Sequence, residues 1–218
     1  MINKNFNNIL KILFGFLFIP NLIFGQIFDP SFEDGVIYLS NFIAEKKYQE
    51  QIDDLDNVNL IYEEAVKFYN GDISEALLAL TFATLPFNEM PIRFPILNVR
   101  IPLKLPSVNN ELFIIKKNNL PKRIYFDSPL NYGDKDKIAH FFGNAFLAYN
   151  FSTINTSKFL GMFVELFEFT LKVSGNVDLR DLKTNHLGEY FGQSLKSNPN
   201  LKPSDFFNVY SLFYFSYY

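Results

Sequence analysis

The sequence predicts a mainly α protein: N-terminal helical hairpins, a short Pro-rich β-like middle segment and a C-terminal helical bundle. Three observations predict it. Apolar residues recur at helical spacing on both sides of the centre. Seven of the 11 prolines fall within residues 86–132, where helical periodicity stops. The chain holds 27 Phe and 12 Tyr but no Trp and no Cys, a composition that suits a thick apolar core or contact with a membrane surface.

Residues 1–25 read as a secretory signal peptide. Lys4 and Lys11 form a positive n-region, Ile12 to Ile19 an apolar core, Pro20 a break, and Gly25 a small residue ahead of Gln26. The apolar run is shorter than the ~18 residues that a membrane span needs. The expected product is exported, and periplasmic or envelope-associated. Without cysteine it is not a lipoprotein and has no disulfide framework. Loss of the two lysines makes a chain of net charge −3 more acidic, which argues against a nucleic-acid partner.

Residues 32–85 form the helical hairpin region. Val36, Leu39 and Ile43, then Tyr48, Ile52 and Leu55, then Leu60, Ile61, Ala65 and Phe68 recur at helical spacing. Asn70-Gly71 is a helix stop, Asp72 or, in a frayed start, Ser74 is the N-cap, and Pro86 closes the next helix. Gly71 to Leu77, continuing through Leu80 and Ala83, resembles the second half of a tetratricopeptide repeat, with an echo at Lys47–Ile52. The echo is about 25 residues away, shorter than that family's ~34, so plain packing hairpins are the favoured reading. A protein partner would bind through these helices.

Residues 86–132 form the irregular or β segment. Val99, Ile101, Leu103 and Leu105 alternate with Arg100, Pro102 and Lys104, and ELFII and RIYF read as short strands. Proline in such a pattern implies edge strands. Lys116, Lys117, Lys122 and Arg123 make the segment locally basic, read as a solvated rim; contact with anionic lipid head groups is the alternative.

Residues 133–218 form the bundle, with helices expected over 136–151, 157–173, 178–197 and, from the run of Phe206, Val209, Tyr210, Phe213 and Tyr217, at the end. Here polar residues gather. Lys137, His140 and Asn144 share a face at i, i+3 and i+7. The next helix is apolar nearly all round yet holds Glu165 and Glu168, and a buried carboxylate needs a partner. Glu168 can reach Lys172 one turn on. Glu165 has Phe169 at the equivalent position, so its expected partners are Lys137 and His140. Asp181, Asn185, Gly188 and Gly192 share a face of the third helix, and the glycines, with Gly143 and Gly161 on the other two helices, let backbones approach. His186 is turned away. A His with several carboxylates is compatible with a divalent metal or with general acid–base work, with His140, Glu165, Glu168 and Asp181 as candidate catalytic residues. The equally weighted alternative is a buried ion-pair network that holds three helices in register. No H-E-x-x-H, G-x-S-x-G, Walker A or G-x-G-x-x-G pattern occurs.

Asp136-Lys137-x-x-His140-x-x-Gly143, then Glu165-x-x-Glu168, then Asp181-x-x-x-Asn185-x-x-Gly188-x-x-x-Gly192 resembles the YfiM-like periplasmic (lipo)protein family, which is similar to the VanZ-like membrane proteins. The resemblance covers about 136–192 and implies an envelope protein with a polar cluster of unestablished chemistry. The leading expectation is envelope maintenance or lipid-associated binding, with a membrane surface or envelope lipid as partner. The alternatives are a hydrolase or transferase acting on a lipid-linked envelope substrate, and a structural scaffold.

Overall fold

A computed structural model describes residues 30–45, 53–94, 99–131, 133–150 and 179–215. The signal segment and the helix expected over 157–173, with Glu165, Glu168 and Gly161, lie outside the described residues. The fold is mainly α: seven helices and one two-stranded hairpin among the described residues. None of these helices is long and apolar enough to cross a membrane.

The first three helices are α1 (Pro30–Ala44), α2 (Asp54–Phe68) and α3 (Ile73–Ala83). In α1, Phe32, Val36, Leu39 and Ile43 form one fully buried stripe. Asp53 caps α2 by accepting from Leu55 N, and Asp72 caps α3 by accepting from Glu75 N. Between them Asn70 (φ 52°) and Gly71 (φ 94°) turn the chain through left-handed conformations, and Gly71 N donates to Val66 O. Helix α3 is buried on almost every side and is the hub on which α1 and α2 pack.

The Pro-rich segment is part hairpin and part helix. Strands β1 (Glu89–Phe94) and β2 (Val99–Lys104) pair antiparallel, with Pro91 opposite Pro102. A two-stranded ribbon has only edges, so both prolines are tolerated. The strand expectation for ELFII is overturned: it lies in α4 (Asn110–Asn119), and Asn109 caps this helix by accepting from Leu112 N. A five-residue apolar run does not discriminate strand from helix, and the cap decides it. RIYF is likewise no strand; it belongs to an irregular loop.

Helix α4 satisfies the carbonyl ends of two other helices. Asn119 Nδ2 donates to Ala44 O at the end of α1 (2.7 Å). Lys116 Nζ donates to Ala83 O (3.0 Å) and Leu85 O (2.7 Å) at the end of α3. Terminal carbonyls carry partial negative charge and lack intrahelical partners, which explains both contacts. Lys116 is therefore not on the expected solvated rim but 1% exposed, with its ammonium 4.5 Å from the Phe113 ring centroid. Burial pushes its pKa down from 10.5 to about 7, with a smaller push from the Lys117 charge. The folded state thus binds fewer protons than the unfolded chain between those values, so stability rises with pH across this window, by at most about 1.4 kcal/mol per unit. Urea unfolding of the wild type and K116M at pH 6.5, 8 and 9.5 checks this; the wild type gains on the variant as pH increases.

The bundle comprises α5 (Lys135–Asn150), α6 (Leu179–Leu195) and α7 (Pro203–Phe215). Helix α5 packs on α3 and most extensively on α6. Much of the Phe content is spent here. Phe141 stacks on Phe191 (5.2 Å) and lies against Phe207 (4.8 Å), while Tyr62 of α2 meets Phe191 edge-on (5.3 Å). Asn59 pairs reciprocally with the Ser204 hydroxyl and amide, tying α2 to the start of α7.

Candidate functional site: a buried polar cluster between two helices

The site exists because two helix backbones come unusually close. A Cβ on Gly188 would lie 2.2 Å from Phe141 O, and one on Gly192 would lie 2.1 Å from Ala145 O. Only glycine fits at either position. The approach brings the polar face of α6 onto that of α5.

Lys137 Nζ lies 2.5 Å from Asp181 Oδ1 and 2.9 Å from Asp136 Oδ2. His140 Nε2 is 3.8 Å from Asp181 Oδ1. On the other side of the ring, Asn144 Nδ2 donates to His140 O (2.8 Å) and to Asn185 Oδ1 (2.9 Å). These two bonds fix both amides, so Asn185 Oδ1 accepts from His140 Nδ1 (3.1 Å). The neutral imidazole therefore carries its hydrogen on Nδ1 and its lone pair on Nε2, toward Asp181.

Lys137, His140 and Asp181 are 5%, 1% and 2% exposed, whereas Asp136, Asn144 and Asn185 are only partly buried. Burial holds the His140 pKa below its ordinary value, against the opposing pull of the Asp181 and Asp136 charges and the Asn185 hydrogen bond.

Asp136, Lys137, His140, Asn144, Asp181, Asn185, Gly188 and Gly192, all singled out in the sequence, thus meet in one place. Gly143 is buried on α5. His186 points away, exposed and 3.6 Å from Glu189. Whether Glu165 or Glu168 joins the cluster falls outside the described residues.

Sequence reasoning missed an adjoining cluster. Asp134, just before α5, accepts from the Ser128 hydroxyl, and Arg180 Nε lies 3.4 Å from its other oxygen. Burial raises the Asp134 pKa, opposed by Ser128 and Arg180. Tyr125 OH shares a hydrogen bond with Thr184 Oγ1 (2.7 Å). The available signal was Gly133-Asp134 directly before an apolar helix, a cap-like start that draws attention to Asp134 without revealing its partners.

Asp136, His140 and Asp181 can each offer one ligand atom, all within 4.8 Å of one another, a donor set suited to a divalent ion. The Lys137 ammonium already contacts both carboxylates of that set. A metal would have to displace it, and would then face a buried amine.

The chain matches no family model, no curated protein and no solved structure. Its class rests on its own architecture: a mainly α protein with a helical bundle built around a buried charge cluster.

Proposed function

We propose that this chain is an exported, envelope-associated protein of the lipid-binding or envelope-maintenance kind, in which the α5–α6 cluster organises the bundle. One observation carries the organising role: the Lys137 ammonium sits between Asp136 and Asp181 in a cluster whose His140 and Asp181 are almost wholly buried. A catalytic His and its acid partner need access to substrate, whereas a network that sets helix register needs closure. The signal-like N-terminus supports export, and the Asp136-to-Gly192 resemblance to YfiM-like proteins supports an envelope setting.

A second reading is favoured by the convergence of Asp136, His140 and Asp181. It is a metal-dependent hydrolase or transferase in which these three residues hold the ion. The ion would polarise an oxygen of the substrate or activate water.

Metal analysis of the purified exported protein, with H140A beside it, separates the two. The organising role predicts substoichiometric metal in both. One equivalent of metal, lost in H140A, overturns it in favour of the second reading. N-terminal sequencing of the same sample is expected to begin at Gln26; an intact Met1 in the exported fraction would make the segment a tether.

A further inference from the structure

The loop between α4 and α5 closes on itself. Asp134 N donates to Lys122 O (2.8 Å), joining the two ends of this connection. At its neck Gly133 adopts φ 65° and leaves no room for a Cβ beside Lys122. Ile124 and Tyr125 are buried and anchor the loop from within. Ser128 braces it by accepting at Oγ from Tyr125 N (3.0 Å) and placing its single hydroxyl hydrogen between Asp134 and Tyr125 O (2.7 Å). Arg180 of α6 clamps Asp127, through Nη2 to Oδ1 (2.8 Å) and Nη1 to the carbonyl (3.1 Å).

This braced frame presents apolar side chains outward. Phe126 is 56% exposed and Leu130 83%, while Ile114 and Ile115 of the neighbouring α4 are 59% and 48% exposed. Exposing such side chains forgoes burial free energy, so a braced loop that holds them out suits a partner that covers them.

Their surroundings are cationic. Lys117, Lys122 and Arg123 are exposed, and Lys135 Nζ donates to Lys117 O (2.9 Å). Burial, then the Lys122 and Lys117 charges, lower the Lys135 pKa, which places the three amines within mutual electrostatic range. Three of the nearby carboxylates are engaged: Asp54 accepts from the Lys122 and Arg123 amides, Asp127 pairs with Arg180, and Asp136 with Lys137; Glu111 stands exposed in the first turn of α4. Residues 104–137 hold seven basic and four acidic residues in a chain of net charge −3, and without the buried Lys116 and Lys137 five of the basic residues remain for the surface.

We infer that this loop, with the outer face of α4, docks the protein on an anionic lipid surface, Leu130 and Phe126 entering the interface and Lys117, Lys122, Arg123 and Lys135 meeting lipid phosphates. Exposed apolar side chains on the same short stretch of chain as a group of cations match the layering of such a surface: apolar tails beneath negative head groups. This assignment rests on the lipid-associated reading above and gives it a contact surface and a lipid class.

The test is co-sedimentation of the exported protein with vesicles of phosphatidylcholine alone or with about 30% phosphatidylglycerol, a composition that supplies negative surface potential. F126S/L130S and K117Q/K122Q are compared with the wild type after circular dichroism confirms helix content. The wild type binds the anionic vesicles at least about tenfold more strongly, and 0.5 M salt weakens this binding. Each variant loses about tenfold or more. Strong binding that neither variant alters overturns the loop assignment and leaves lipid association standing. Equal, salt-independent binding to both vesicle types overturns the anionic class. Absence of binding to either overturns both this inference and the lipid-associated reading; loss of self-association in F126S/L130S would then assign the patch to a protein contact.

Discussion

Gly192→Ala is expected to lower the unfolding free energy by about 2–3 kcal/mol, although alanine is the better helix former by about 1 kcal/mol. The sign is decided by what the new methyl meets. It would lie 2.1 Å from Ala145 O and 2.8 Å from Ala145 C, which are backbone atoms of a packed helix and not the tip of a movable side chain. Relief requires α5 and α6 to separate, and separation lengthens the Asn185–His140 and Asp181–Lys137 contacts. Gly188→Ala meets Phe141 O at 2.2 Å and should behave alike. Urea unfolding checks both, with the exposed Gln193→Ala as a control expected to stay within about 0.5 kcal/mol of wild type. Wild-type stability in the glycine variants would mean that the helices do not approach as described.

Asp181→Ala should be the most damaging change within the polar cluster, at about 3–5 kcal/mol. Lys137 and Asp181 are both almost wholly buried, and their 2.5 Å contact offsets the desolvation of each. Truncation leaves a buried ammonium facing Asp136, which is 38% exposed and so screened by solvent. The loss is read from the urea midpoint at pH 7. A loss below about 1 kcal/mol would place the pair among solvated surface bridges.

The parts of this architecture that were legible in sequence were those carried by periodicity and local chemistry. The buried stripe of α1, the Asp72 cap and the Asn70-Gly71 turn follow from spacing and from residues whose conformational preferences are local. The shared faces of α5 and α6 were readable for the same reason. Gly188 and Gly192 added the clue that these faces could touch, because small residues at i and i+4 have no packing value unless a backbone approaches. Lys116 was not legible: its burial depends on the carbonyl end of α3, which lies more than 30 positions earlier in the chain. Asp134 and Arg180 were illegible in the same way, since their pairing arises only after α6 docks beside the loop. ELFII misled because its cap lies just outside the run that was read.

The central claim is that the Lys137–Asp181 pair sets the register of α5 and α6. A double-mutant cycle with K137M, D181L and K137M/D181L tests it most directly, read by urea unfolding and by vesicle binding. The expected result is a loss of about 3–5 kcal/mol for each single variant, a much smaller loss for the double, a coupling energy of at least about 2 kcal/mol, and wild-type binding to anionic vesicles by the double variant. Additive losses, or a stable double variant that no longer binds those vesicles, would contradict the claim.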